Sequence, residues 1–360
     1  MTNTTPERSN MLFEDLTEGL VWPKLLRAGG LALRPERIGL GVAIALLIGL
    51  IDRIGLLWHN EEASGPFTGL SGSIGQRMSL GFGRSDTIFD MFLSTLASLL
   101  SVPLMLIQEH PVSTLVLGPF MLLVWAVFGG AISRSVMSEV SLAKVPAWPQ
   151  VLGDAVRRWV SLFGAMLVPL AMIAGCYYLI AFLGLGLHVP VINVLTAVLY
   201  GLGLVLGLFA TLVIIAYAIG GWMLVPAVMA EGTDSLDGVQ RSLAYVWSRP
   251  IRSVAYLAVL AVVGFVALQI AGLIEAMTVS LATNAAQTWG PSEAGEAWHG
   301  ATEGTAGLSM QIIGFWGSVV QVIVTGYAVS FVHTAGALQY LCLRRVCDGQ
   351  EIGELWEEGV

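Results

Sequence analysis

Charge is what this chain lacks most. Of 360 residues, 12% are Asp, Glu, Lys or Arg, while 56% are hydrophobic. Soluble domains carry roughly 25% charged residues, so a water-soluble fold of this size would be left with a surface it cannot cover. Basic residues are scarce too, and a net charge of -8 argues against nucleic acid, which calls for a basic face. Three cysteines, Cys176, Cys342 and Cys347, make no disulfide framework. Cys342 and Cys347 are five apart, a poor spacing for shared metal ligation from one helix face. The five histidines, His59, His110, His188, His299 and His333, are scattered. No G-x-S-x-G elbow, P-loop or H-E-x-x-H is present. These absences lead to an expectation of a non-enzyme without cofactor or bound metal.

What is present is oil in long runs. A bilayer span needs about 20 apolar residues, and six stretches qualify: 38–58, 112–133, 159–183, 194–229, 254–276 and 311–343. The fourth and sixth are overlong, and tilt or continuation into water can absorb the excess. The expected fold is all-α, a polytopic transmembrane bundle. Residues 1–19 form a polar, frayed tail, 20–349 a single transmembrane domain, and 350–360 an acidic tail. The first 37 residues lack the layout of a cleavable signal peptide, so the first apolar run is expected to stay as an anchor.

Arginine and lysine fix the topology. Fourteen of the 17 fall in alternate bends, leaving Arg53, Arg77 and Arg84. By the positive-inside rule those bends and both termini are cytoplasmic. The stretch 88–108 is apolar but carries Asp90, Pro103 and several hydroxyls. If it crossed, the later basic groups would change sides, so it is expected to be an interfacial or re-entrant helix on the outer face. The outer stretch 278–310 has no Lys or Arg. Its Glu293, Glu296, His299 and Glu303 follow helical spacing, but Pro291 and neighbouring glycines make a solvated acidic loop the plainer reading.

The six spans pair into three helical hairpins, each opened by an amphipathic elbow helix around 25–37, 150–158 or 236–252. Arg34, Arg37, Arg157, Arg158, Arg249 and Arg252 are the expected interfacial anchors of these elbows. The units also repeat at their returning ends. Gly129-Gly130 answers Gly220-Gly221, and Ser138-Glu139 answers Ala230-Glu231. The four glycines are expected to let helix backbones approach closely. The alternative is a gating hinge.

The elbow DGVQRSLAYVWSRPIRS, with Arg241-Ser242, Trp247 and Arg249-Pro250, has counterparts within 126–169 and in LQYLCLRRVCDGQEIGELW near the end. In these residues the chain resembles an uncharacterised group of bacterial polytopic membrane proteins. That group is related to the membrane domain fused to some glycerophosphodiester phosphodiesterases. The resemblance implies a multi-pass protein of the bacterial cytoplasmic (inner) membrane, and no reaction.

Ionisable groups within spans are functional candidates by default. Asp52, near the outer end of the first span, and His333, in the inner half of the sixth, are the two considered for an intramembrane polar path. Ser330, Thr334 and Tyr327 stand near enough in sequence to satisfy the histidine. Gln269, Gln311, Gln321 and Gln339 suit interhelical hydrogen bonds. The leading expectation is a non-catalytic scaffold, complex subunit or lipid-handling protein. A small transporter or channel using Asp52 and His333 is the second. Expected partners are the lipid bilayer and a protein engaged through the tail or the elbows, with no nucleic acid.

Overall fold

The computed structural model describes residues 22–56, 111–188, 192–289 and 304–355. Among these residues there is no strand, and six helices are long and apolar enough to cross a bilayer. A 3-10 turn Trp22–Arg27 leads into a short helix α1 (Ala28–Ala32) and then span one, α2 (Pro35–Leu56). Span two is α3 (Pro111–Leu142), followed by the elbow α4 (Trp148–Arg157) and span three, α5 (Trp159–Leu185). Span four is α6 (Ile192–Gly220), continued by a 3-10 turn and α7 (Leu224–Glu231). The elbow α8 (Ser235–Ser248) opens span five, α9 (Pro250–Trp289), and α10 (Gly304–Asp348) is span six. The tail before Trp22, the loop 60–86, the stretch 88–108 and Glu293, Glu296, His299 and Glu303 lie outside the described residues.

Span four departs from the sequence expectation. It is interrupted by a break and is not one continuous α-helix. Gly220 and Gly221 open a 3-10 turn, Gly221–Met223. Four residues after Trp222 comes Pro226, which has no N–H to donate back, so the Trp222 carbonyl loses its helical partner. The space that carbonyl needs is supplied by Gly336 of span six, where a Cβ would stand 2.2 Å from Trp222 O. After the break α7 is buried along its length, from Leu224 to Ala230.

Spans five and six are longer than 254–276 and 311–343. At 1.5 Å per residue, their 40 and 45 residues are about 60 and 68 Å long, roughly twice the ~30 Å of hydrocarbon. Much of the expected outer loop is therefore helix. Span six also packs more extensively on span one than on span five, its expected hairpin partner. The reason is a backbone crossing. At Gly41 a Cβ would lie 2.1 Å from Gly326 O, and at Gly326 one would lie 2.8 Å from Val42 N.

The elbows differ in depth. In α8, Gly238, Val239, Ser242, Tyr245 and Val246 are buried at helical spacing, while Leu236 and Trp247 face outward. The Asp234 side chain caps α8 by accepting from Asp237 N at 3.0 Å. α4 buries Val151 and Ala155 and exposes Trp148 and Val156. The first elbow packs into the bundle. Leu25, Ala28 and Ala32 are fully buried, because this piece is clasped by span six. There Tyr327 Oη donates to Gly29 O and Ser330 Oγ to Ala32 O.

All three returning ends close with a residue of positive φ: Ala143 after α3 (φ 53), Gly232 after α7 (φ 66) and Gly349 after α10 (φ 69). The left-handed conformation costs an L-residue roughly 1–2 kcal/mol. Gly232→Ala is therefore expected to destabilise by about 1 kcal/mol and Ala143→Gly to stabilise by a similar amount. Heating the two variants in detergent, and following the monodisperse fraction, checks that the shifts have opposite signs.

Candidate functional site

The polar side chains converge on one end of the bundle. Arg34 and Arg37 are three apart, so they share a face where span one begins. Both reach Glu139 near the end of span two. Arg34 pairs in the two-pronged fashion, Nε to Oε2 at 2.7 Å and Nη2 to Oε1 at 2.6 Å. Arg37 Nη2 donates to Glu139 Oε2 at 2.6 Å, Nε to Ser135 Oγ at 3.0 Å and Nη1 to Leu31 O at 2.7 Å. Arg37 is 0% exposed. A buried charge is tolerated only when its donors are met, and these contacts meet them. The hydrogen bond to Glu139 holds the Arg34 guanidinium above its ordinary pKa, outweighing the lowering by burial.

Glu231, the repeat counterpart of Glu139, is a second hub. It accepts from Tyr340 Oη at 2.9 Å and pairs with Arg344 at 2.8 Å and Arg241 at 3.5 Å. Arg241 also pairs with Asp237 one turn back. Tyr245 donates to Asp348 at the end of span six. Burial, and then that hydrogen bond, push the Tyr245 phenol above its ordinary pKa, so it stays a donor at neutral pH. Arg344 further bonds Gln350 and Glu354 O. The start of the acidic tail is thereby turned back on the bundle, with Ile352 buried. Truncation after Gly349 exposes what Ile352 covers and is expected to lower thermal stability, by about 1.5–3 kcal/mol from that side chain; a melt of the truncated protein reads it.

A third group caps the end of α7. Arg134 Nη1 donates to Met229 O at 3.3 Å, and Arg158 Nη1 donates to Gly232 O. Helix C-termini offer unpaired carbonyls to such groups. Gln339 Nε2 donates to Ser253 O at 3.4 Å, joining spans six and five. Through these bonds the basic bends of all six spans meet at one end. Beside the α7 cap lies a cavity of about 300 Å³, lined by Arg134, Asp154, Arg157, Arg158, Val160, Ser161 and Met229.

From sequence, Glu139 and Glu231 stood out only as repeat equivalents, and Tyr340 and Arg344 were not expected as site residues. The usable signal was the equivalence of Glu139 and Glu231 in the repeat. Among the six expected anchors, Arg157, Arg249 and Arg252 are exposed and Arg34 and Arg158 are partly covered. Arg37 is a buried ion-pair member and no interfacial anchor.

Asp52 and His333 are both buried, at 1% and 3% exposure, but are not brought together. From the antiparallel crossing of Gly41 and Gly326, Asp52 lies 11 residues one way and His333 seven residues the other. At 1.5 Å per residue that separates them by about 27 Å along the bundle. His333 packs on Trp125, ring centroids 4.7 Å apart, and its Nε2 has no hydrogen-bond partner. Of the neighbours expected to satisfy it, Tyr327 and Ser330 are committed to the first elbow, and Thr334 Oγ1 is itself without a partner.

The glycine pairs divide. A Cβ at Gly129 would fall 2.0 Å from His333 Cε1, at Gly130 2.9 Å from Leu162 Cδ1 and at Gly220 2.8 Å from Val246 Cγ2; at Gly221 the nearest atom is 3.3 Å away on Tyr217. Three are close contacts, and Gly221 belongs to the 3-10 turn. Among the described residues no group of three or more His, Cys, Asp or Glu side chains is placed to hold a metal.

The fold defines a class: a multi-pass helical membrane protein with an ion-paired polar end. No family model, no curated protein and no solved structure matches the chain.

Proposed function

We propose that this is a non-catalytic protein of the bacterial cytoplasmic membrane, both ends cytoplasmic, that serves as a scaffold or complex subunit in contact with lipid. The resemblance of its elbows to the uncharacterised bacterial group related to phosphodiesterase membrane domains supports the location. The observation that carries the functional reading is how the charges are used. Glu139 and Glu231 bond four arginines from three other segments, the start of span one, α8 and the end of span six, and fix the spans to one another. Such a layer suits a stable platform more than a moving gate.

A transporter reading rests on Asp52 and His333. Their separation of about 27 Å makes them two stations and not one site, so the platform reading is favoured. Purification from native membranes in mild detergent tests it. A platform elutes with a second polypeptide in fixed ratio, well above its own 38.3 kDa. A lone chain whose removal alters no other membrane complex contradicts it. Substrate flux lost on Asp52→Asn or His333→Gln would favour the transporter.

A further inference from the structure

We infer that the seam between the 3-10 turn Trp22–Arg27, the start of span five and the end of span six binds the phosphate group of an anionic lipid. Three pieces of chain bring cations there. Lys24 and Arg27 are three apart in the 3-10 turn, where side chains at that spacing eclipse. Arg249 and Arg252 bracket the first turn of span five and are also three apart, so they fall on one side of it. Arg345 stands in the last turn of span six. The 3-10 turn packs on both spans. The fields of these side chains meet on span six, where Lys24 and Arg345 act on Cys342, and Arg249 and Arg252 on Cys347. Lys24, Arg27, Arg249 and Arg252 are exposed and Arg345 is half-buried.

These charges are not used to hold the fold. Among the described residues, none of the five side chains is in an ion pair. Asp348, the carboxylate that also acts on Cys347, is engaged by the Tyr245 hydroxyl. Arg34, Arg37, Arg241 and Arg344, by contrast, are each held by a carboxylate. Guanidiniums match phosphate oxygens in paired hydrogen bonds, and an ammonium adds a point charge. The surroundings indicate lipid as the source of the phosphate. Leu26, beside Arg27, is 52% exposed, and Ile251, between Arg249 and Arg252, is 85% exposed. Apolar side chains alternating with cations in this way suit the boundary between headgroups and acyl chains. Trp247, two residues before Arg249, is exposed as well, and tryptophan favours the same depth. Basic sites between spans at that depth select anionic headgroups. The inference does not depend on the platform reading.

The test titrates the full-length protein in detergent with short-chain phosphatidylglycerol, short-chain phosphatidylcholine or inorganic phosphate, and follows binding by thermal shift. Phosphatidylglycerol is expected to bind at least about 10-fold more tightly than phosphatidylcholine. Lys24→Gln/Arg27→Gln and Arg249→Gln/Arg252→Gln are each expected to weaken it by about 10-fold or more. All four side chains are exposed, and the melting temperature without lipid checks that the fold is kept. Should a double variant melt lower without lipid, Arg252→Gln alone decides, with an expected weakening of about 3-fold or more. Lys144→Gln, at an exposed cation on the bend before α4, is expected to bind as the unaltered protein does. Equal binding of the two lipids, unaltered affinity in either double variant, or an equal loss in Lys144→Gln overturns the site. Saturation by inorganic phosphate, with no added effect of phosphatidylglycerol, overturns its assignment to lipid.

Discussion

Glu139→Gln is expected to be the most damaging single loss of charge in the protein. It keeps the shape of the side chain and removes the anion between two guanidiniums, of which Arg37 has no exposure to water. The remaining partners of Arg37, Ser135 and the Leu31 carbonyl, are neutral. Removing one member of a buried ion pair costs about 3–5 kcal/mol, most of it the penalty of the charge left behind. A companion variant separates that from generic damage. In Arg37→Met/Glu139→Leu no buried charge is stranded, and Arg34, whose side chain is 39% exposed, turns to solvent. The double variant is therefore expected to melt above Glu139→Gln despite carrying more change. If it melts at the same temperature or below, the buried charge is not what Glu139 is there to satisfy.

The second large effect is expected at the crossing of spans one and six. Gly41→Leu sets a Cβ where the Gly326 carbonyl oxygen stands, at 2.1 Å, so backbone must move. Overpacking of a core commonly costs about 1–3 kcal/mol, and more when backbone is the obstacle. Here separation of the helices also disturbs Leu40 and Ile44, which flank Gly41 on span one and are buried. In lipid there is no hydrophobic drive to compensate, since helix association rests on packing and hydrogen bonds. Gly41→Leu is expected to abolish recovery of monodisperse protein. Gly314→Leu and Gly317→Leu, on span six where a Cβ meets nothing within 4 Å, should be recovered normally. Equal loss at all three positions would show that glycine content matters and this contact does not.

These sites also show what the sequence could reveal. Hydropathy and arginine placement were enough for six spans with their basic bends together, because both follow from the cost of placing charge in lipid. The turn at Gly220-Gly221 was visible as small residues, but its meaning was not. It depends on Pro226 and on Gly336, more than a hundred residues away. Arg37 read as an anchor because an arginine beside an apolar run usually meets headgroups. Only the packing of span two beside span one brings Glu139 to it. The crossing at Gly41 and Gly326 pairs residues from opposite ends of the chain, and no local pattern marks it. His333 stood out as an intramembrane ionisable group, but of its sequence neighbours Tyr327 and Ser330 bond the first elbow and Thr334 Oγ1 has no partner.

The central claim is that the bends carrying Glu139, Glu231 and Asp348 share one side of the membrane. Single cysteines at Lys144, Gln240, Glu351 and His188, in a background without Cys176, Cys342 and Cys347, measure it directly with a membrane-impermeant thiol reagent. The account predicts that Lys144→Cys, Gln240→Cys and Glu351→Cys react only once the cytoplasmic face is opened, and that His188→Cys reacts in intact cells. Reaction of any of the first three from outside, while another of them stays protected, would contradict it.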